Sequence, residues 1–147
     1  MTTRRDASPR EPTAEVRDEK WWLARTARAN VLVVCPDDAA ERIVATLQAG
    51  LPPPVLSWRP GTRLGLGNAG HSGTVILWNI EALTPDDQSC LCEWLEIDAG
   101  RARVISTSRE HVFPLVEAGT FLEMLYYRLN VLCFEFNAAD VASLQVV

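Results

Sequence analysis

Two unbroken apolar runs constrain the fold of this chain more than any other feature. Residues 31–35 read VLVVC and residues 74–78 read TVILW. A strand with one wet face would alternate apolar and polar residues, whereas an unbroken run is typical of a strand that is buried on both faces. The two runs therefore predict a parallel sheet that is covered by helices on both faces.

Helical patterns alternate with these strands. One helix is predicted to open at Pro36–Asp38 and to stop at Gly50, and a second begins where Thr84 can cap it and Pro85 fits the first turn. The remaining predicted elements are short helices at residues 19–29, 111–118 and 121–129 and strands at residues 55–58, 102–107 and 131–136. This alternation indicates an α/β fold with a mostly parallel sheet of about five strands.

Charge and composition narrow the possible partners. Residues 1–18 are polar, charged and twice interrupted by proline, which predicts a flexible tail ahead of a single domain at residues 19–147. The net charge is -5, and from Trp21 onward nine basic residues face fourteen acidic ones. An acidic domain argues against direct nucleic acid binding. No apolar run approaches the roughly 20 residues that span a bilayer, and no secretion signal is present, so we expect a cytoplasmic protein.

The four cysteines form no recognisable metal motif. Cys90 and Cys92 are two residues apart on a predicted helix and therefore point to different sides, whereas zinc ligands usually come in C-x2-C or H-x3-H pairs. We interpret the cysteines as small apolar residues in a reducing compartment. Cys35 and Cys133 both fall on predicted strands, and neighbouring positions in the sheet remain open for them.

The first strand-to-helix turn lacks the features of a phosphate-binding loop. Such a loop needs G-x-x-x-x-G-K-[ST], but the turn here is Cys35–Asp38, with no glycine and two aspartates that would repel phosphate. The chain's only lysine is Lys20. Gly65–Gly70, GLGNAG, satisfies G-x-G-x-x-G, but it follows a loop and precedes a strand, which indicates a flexible connection.

The end of the second apolar run lacks carboxylates. Phosphoryl-transfer enzymes use an aspartate there to hold magnesium, but the residues here are Trp78 and Asn79, and neither can serve as a general base. Glu81 and Asp86 lie close by in sequence, where solvation and helix capping explain them. No serine and acid stand at a recognisable spacing from either histidine, so the sequence supports no hydrolase triad.

Three strings, in this order of elements, resemble the AAA+ core of sigma-54-dependent transcriptional activators, the bacterial enhancer-binding proteins. Gly119–Val131, GTFLEMLYYRLNV, is similar to that family's G-x-F-R-x-D-L-Y-Y-R-L-N-V. Gly73–Leu83, GTVILWNIEAL, is similar to G-T-L-F-L-D-E-I-x-x-L, and Val104–Arg109, VISTSR, is similar to V-I-A-T-T-N-R. The resemblance covers about Val31 to Phe136. It implies a three-layer fold like that of P-loop NTPases.

Carried over by position, the resemblance implies that the catalytic parts have been replaced. The magnesium-binding aspartate falls on Trp78, the water-activating glutamate on Asn79 and the sensor asparagine on Ser108. The first arginine of the arginine-finger region falls on Leu122, whereas the second survives as Arg128. The degenerate nucleotide cleft implied in this way consists of Pro36, Asp37, Trp78, Asn79, Ser108 and Arg128.

Other family parts have no counterpart in the printed sequence. The phosphate-binding loop is missing between Val34 and Ala39, and the sigma-contacting G-A-F-T-G-A string is absent upstream of Gly73. We expect no helical lid and no DNA-binding helix-turn-helix. The family assembles into rings bridged by nucleotide, so this chain has lost one reason to assemble, and the sequence leaves its oligomeric state open.

Two functions follow as expectations. The first is a catalytically inactive AAA+-like module, with no metal and no cofactor, that binds a protein partner such as an AAA+ activator or a sigma factor. The alternative is a regulator that still binds a nucleotide or small molecule in the cleft around Pro36, Asn79 and Ser108. Trp78 is expected to plug the empty cleft, and Arg128 to pair with an acid such as Glu123 or Glu135.

Overall fold

The fold follows from a computed structural model, which describes residues 29–48, 51, 53–66, 73–98 and 101–137. The predicted tail, the predicted helix at residues 19–29 and most of the GLGNAG string lie outside the described residues.

The predicted parallel sheet is confirmed. Its five strands are β1 (Val31–Val34), β2 (Val55–Trp58), β3 (Thr74–Leu77), β4 (Arg103–Ser108) and β5 (Leu132–Glu135). They lie in the order β2-β3-β4-β1-β5, and every neighbouring pair is parallel. The three central strands are buried along their whole length, which is why their sequences do not alternate.

The helices lie close to their predicted positions. They are α1 (Asp37–Gln48), α2 (Pro85–Asp98), α3 (Phe113–Glu117) and α4 (Glu123–Leu129), and a 3-10 turn spans Ile80–Ala82. The predicted cap of α2 is confirmed, since the Asp87 amide donates to Thr84 Oγ1 at 3.1 Å. Gly119 separates α3 from α4 with a φ of 80°, a left-handed conformation that glycine adopts without strain.

Helices cover both faces of the sheet and give two apolar cores. On one face α1 buries Ile43, Val44 and Leu47 against β1 and β3. On the other face α2 and α4 bury apolar side chains against the same sheet, among them Leu91, Trp94, Leu125 and Leu129. The predicted three-layer architecture is therefore observed.

The connections around β1 and β4 place a cleft at the carboxyl ends of these strands. The chain leaves β1 for α1 on one face, and it leaves β4 for α3 and α4 on the other. Because β1 and β4 are neighbours, their following segments diverge, and open α/β sheets bind ligands at such a point. We refer to this place as the strand-end cleft.

No helix among the described residues has the length and apolar character needed to cross a membrane.

Candidate functional site

Four polar side chains meet at the strand-end cleft and bind one another. Arg109, which follows β4, donates through Nε to both carboxylate oxygens of Asp37 at 2.9 and 2.8 Å. Asn79, which follows β3, donates through Nδ2 to Asp37 Oδ1 at 3.0 Å. Glu81 contacts Arg109 from the 3-10 turn, with 3.7 Å between Oε2 and the guanidinium Nη1. We call Asp37, Asn79, Glu81 and Arg109 the cleft network.

The contacts within the cleft network stabilise the charged forms of Asp37 and Arg109. The hydrogen bond from Arg109, followed by that from Asn79, lowers the pKa of Asp37 below its ordinary value. The Asp37 contact in turn raises the pKa of Arg109. A helix N-terminus normally attracts an anion, but α1 already has Asp37 and Asp38 in its first turn. The positive end of the helix is therefore matched by the chain's own carboxylates.

Glu81 is the buried member of the cleft network. Its side chain is only 8% exposed, and Oε2 accepts a long hydrogen bond of 3.4 Å from the Arg109 amide. Oε1 is buried without a hydrogen-bond partner. A buried carboxylate needs a cation or donor close by, so Arg109 has a structural role at this place. Glu81 therefore does more than solvate a turn, in contrast to the expectation from sequence.

Asn79 has a backbone conformation that suits its residue type. Its φ is 56° and its ψ is 61°, in the left-handed region that asparagine tolerates better than most residues. Its amide donates to Thr107 Oγ1 on β4 at 2.9 Å, which ties the end of β3 to its neighbour. The side chain is thereby directed to Asp37.

Pro36 and Ser108 lie at the same edge and bind the backbone. The Pro36 carbonyl accepts the amides of Ala39 and Ala40 and so starts α1, while proline itself has no N–H to offer a phosphate. The Ser108 hydroxyl donates to the Glu110 carbonyl at 2.5 Å. The Cys35 amide donates to the Ser108 carbonyl at 2.9 Å. Pro36 and Ser108 therefore hold the backbone at the strand-end cleft in place, and their polar groups are engaged in these hydrogen bonds.

Trp78 is part of a core and not of the polar network. It is 7% exposed and packs in the apolar cluster with α1. Its indole N–H donates to Ser57 Oγ at 2.9 Å, and the Arg59 guanidinium lies 4.1 Å from the ring centroid. Arg59 also pairs with Glu41 on α1 at 3.2 Å. The expected plug is thus a buried side chain beside the cleft.

Arg128 lies near the amino-terminal end of β1, at the opposite end of the sheet from the strand-end cleft. Its carbonyl accepts from Asn30 Nδ2 at 2.9 Å, and Asn30 immediately precedes β1. Its guanidinium lies 3.6 Å from Glu96 near the end of α2. The predicted pairing with an acid is therefore observed, but the acid is Glu96 and not Glu123 or Glu135, because the packing of α4 against α2 brings Glu96 closer. Arg128 does not join the other five predicted residues at this chain's own cleft.

The contacts of His111 and of the cysteines are consistent with structural roles. His111 contacts Glu135, the last residue of β5. Although β1 and β5 are neighbours, Cys133 lies opposite Leu32 and not opposite Cys35, and none of the four cysteines is in a disulfide. Burial, with Asp37 and Asp38 close by, raises the pKa of the Cys35 thiol to about 12, which leaves it unreactive at neutral pH.

Metal binding has no support in the described part of the chain. Three or more acidic, histidine or cysteine side chains nowhere converge there in a way that could hold an ion. In the cleft network the Arg109 guanidinium faces the carboxylates of Asp37 and Glu81.

Sequence reasoning missed Arg109 as a member of the site. It was noted only as the last letter of VISTSR, and nothing in its spacing to Asp37 along the chain predicts the contact. One signal was available: the positions after β1 and β4 must meet wherever these strands are neighbours. An arginine after one strand and an aspartate after the other would then form a pair.

Comparisons with known proteins agree with the fold. Residues 22–138 match the model of the sigma-54 interaction domain. Over 108 residues the chain is 32% identical to the HTH-type transcriptional regulatory protein TyrR of Enterobacter agglomerans, which corresponds to 66% of this chain and 20% of that regulator. The chain therefore spans about a fifth of this curated relative.

Two solved structures show the same fold. NtrX from Brucella abortus, in complex with ADP, superposes with a TM-score of 0.66 at 19% identity, over 88% of this chain and 38% of NtrX. The P-loop NTPase domain of a sigma-54 activator from E. coli has a TM-score of 0.56 at 16% identity, over 81% of this chain and 98% of that domain. Because the family model covers most of the sequence, the chain belongs to the sigma-54 interaction domain family, and its sheet and helices form a P-loop-NTPase-like core.

Proposed function

We propose that this chain is a catalytically inactive member of its family that acts as a protein-interaction or regulatory module. The cleft network carries the proposal. Where an ATPase would present backbone N–H groups, a lysine and a metal carboxylate, this chain has Asp37 bound by Arg109 and Asn79. The polar groups at the strand ends thus bind one another, with the Asp37 and Arg109 side chains each 57% exposed.

Charge supports the same conclusion. The polyphosphate of a nucleotide would meet Asp37 and Asp38 at the start of α1, together with Glu81, and the single cation among these groups already binds two of them. A phosphate would have to displace Arg109 from Asp37 and would bring further negative charge beside the buried Glu81 carboxylate. Each part of this exchange opposes binding.

The catalytic part of the proposal is tested by ATP turnover. Purified full-length chain with radiolabelled ATP and magnesium should release no more phosphate than a boiled sample, measured beside an active P-loop ATPase. Isothermal titration with ATP and magnesium should give no saturable heat. Turnover that disappears in Asn79→Ala but persists in Arg59→Ala would place activity in the cleft and overturn the proposal.

Binding without turnover would favour the alternative, a regulator that senses a nucleotide or small molecule. The same titration separates the two functions, because the module proposed here gives no saturable heat at the cleft. A saturable signal that is lost in Asn79→Ala would decide for the alternative.

The interaction part needs a partner. The family includes transcriptional regulators, so we propose a protein of that system, such as an AAA+ activator or a sigma factor, as the ligand. Affinity capture with the full-length chain in its native host should return one protein in a stoichiometric amount. Capture that returns only proteins also bound by the empty resin would contradict the interaction role.

A further inference from the structure

The outer side of α4 is apolar where a surface helix is normally polar. Leu125 and Leu129 point into the core, as expected, but Met124 and Tyr127 lie on the opposite side and are exposed. With the exposed side chains of flanking segments they form what we call the apolar stripe. Its members are Phe113, Leu122, Met124, Tyr127 and Val131, which are 40% to 60% exposed.

Ring contacts make the apolar stripe continuous across two helices. The half-buried Tyr126 lies 5.7 Å from Phe113 on α3 and 5.2 Å from Tyr127, measured between ring centroids. Met124 stands three residues before Tyr127 and therefore lies near the same side of α4, and Val131 follows shortly after the end of this helix. Single exposed apolar residues need no explanation, whereas a connected row of large ones is typical of an interaction surface.

The apolar stripe lies on α3 and α4, α4 packs against α2, and these three helices together are strongly acidic. Between Pro85 and Ile97, and in α3 and α4, six carboxylates accompany one arginine, and this arginine already pairs with Glu96. The six are Asp86, Asp87, Glu93, Glu96, Glu117 and Glu123. Glu117 stands one helical turn after Phe113, and Glu123 one turn before Tyr127, so carboxylates border the stripe itself.

The apolar stripe and the carboxylates around it together indicate what kind of partner could bind this surface. A nucleic acid or an anionic membrane would meet a face of like charge. A second copy that docks through the same surface would set one acidic layer against another. A basic amphipathic helix satisfies both features, because its apolar face covers the stripe while lysine or arginine residues along its margins face the carboxylates.

We infer that the apolar stripe is the docking surface for a helix of a partner protein that is apolar on one face and rich in lysine or arginine along its margins. The inference rests on the proposed function, since it names the surface and the partner chemistry of the interaction module. None of the four residues of the cleft network belongs to the stripe.

A model helix tests the inference with the full-length chain. The probe is a fluorescein-labelled peptide of leucine and lysine, about 18 residues long and patterned as an amphipathic helix, with a leucine–glutamate peptide of the same pattern as its control. Fluorescence anisotropy should detect binding of the lysine peptide only. The double variant Met124→Ser, Tyr127→Ser should weaken that binding at least about tenfold, while its urea midpoint stays at the wild-type value.

Two variants of equal charge change separate a specific surface from general attraction. Glu117→Lys borders the stripe and should weaken binding of the lysine peptide several-fold. Glu41→Lys lies on α1, on the other face of the sheet, and should change the affinity by less than about twofold, since surface charges act over roughly a Debye length. Equal loss in both variants, or wild-type affinity in the double serine variant, would overturn the inference.

Self-association supplies a further outcome. If the chain sediments as a dimer and the double serine variant as a monomer, the stripe is an interface between copies and the inference is wrong. Its failure is also distinguishable from failure of the proposed function. A host partner captured equally by wild type and the serine variant would refute the docking surface but support the module, whereas cleft-dependent ATP turnover would refute the inactive module and leave peptide binding unchanged.

Discussion

The segment Gly119–Val131 and the strand-end cleft differ in how closely they follow the family patterns that they resemble. The first keeps its pattern almost letter for letter, and its inward side chains Leu125 and Leu129 are fully buried. In the second, the polar side chains at the strand ends bind one another. The apolar letters of the first pattern thus fall on core positions, whereas the strand-end positions hold Trp78 and Asn79 where the family pattern has two carboxylates.

The difference follows from what each side chain contacts. A leucine in α4 is held in place by the neighbours that surround it, whatever the domain does. A metal-binding aspartate has no such neighbours, so without a ligand it leaves an unpaired charge. At the strand ends of this chain Trp78 instead packs in a core, and the Asp37 carboxylate is paired with Arg109.

Trp78→Ala is expected to have the largest effect and tests whether the cleft side contributes to the core. Removing a buried indole should lower the free energy of unfolding by about 3 kcal/mol or more, measured by urea denaturation. Trp78→Phe should cost less, because it keeps most of the apolar contact and loses only the Ser57 hydrogen bond and part of the Arg59 contact. Unchanged stability in Trp78→Ala would mean that the side chain is solvated.

Leu125→Ala tests how much the inward side of α4, in the segment Gly119–Val131, contributes to the core. Since Leu125 is fully buried, the truncation should cost about 2–5 kcal/mol of unfolding free energy. Tyr127→Ser, on the other side of the same helix, should change the stability by no more than about 0.5 kcal/mol. If both variants unfold alike, the assignment of inner and outer sides of α4 is wrong.

Gln88→Ala is expected to have an intermediate effect and tests the buried amide that joins α2 to the segment before α4. Gln88 is buried, donates to the carbonyls of Leu83 and Thr120 at 3.1 and 3.0 Å, and accepts the Leu122 amide at 2.8 Å. Loss of these bonds leaves buried backbone groups unsatisfied, so we expect a cost of about 1–3 kcal/mol. Amide hydrogen exchange at Leu122 should accelerate, and an unchanged rate would contradict this role.

Much of the fold could be predicted from the sequence because its signals are local. The unbroken runs at β1 and β3 and the Thr84 cap of α2 each depend on a few adjacent residues, and all three are found in the structure. The strand order is not local, since it depends on which pairings bury the most surface. Without it, the meeting of Asp37 with Arg109 could not be predicted.

The candidate site was only partly predictable for the same reason. Pro36, Asp37, Trp78, Asn79 and Ser108 were placed by their positions at strand ends, which the sheet indeed brings to one edge. Arg128 was carried over from a motif, and position in a motif does not say at which edge of the sheet a side chain lies. Glu81 was missed as a buried group because burial depends on tertiary packing, which the turn sequence does not reveal.

The pH dependence of stability should reveal the cleft network with the smallest effect. The folded-state pKa of Asp37 lies below its unfolded value of about 4, so its contribution is present above that pH and is lost as the pH falls through the folded pKa. The urea midpoint of wild type should exceed that of Asp37→Asn at pH 7, and the gap should close between about pH 5 and pH 2. Asp38→Asn removes the same charge one residue along α1 but keeps the Arg109 contact, so its midpoint should follow the wild-type curve more closely. A gap of constant size down to pH 2 would mean that Asp37 stabilises the domain without its charge, and the cleft would then not be closed by an ion pair.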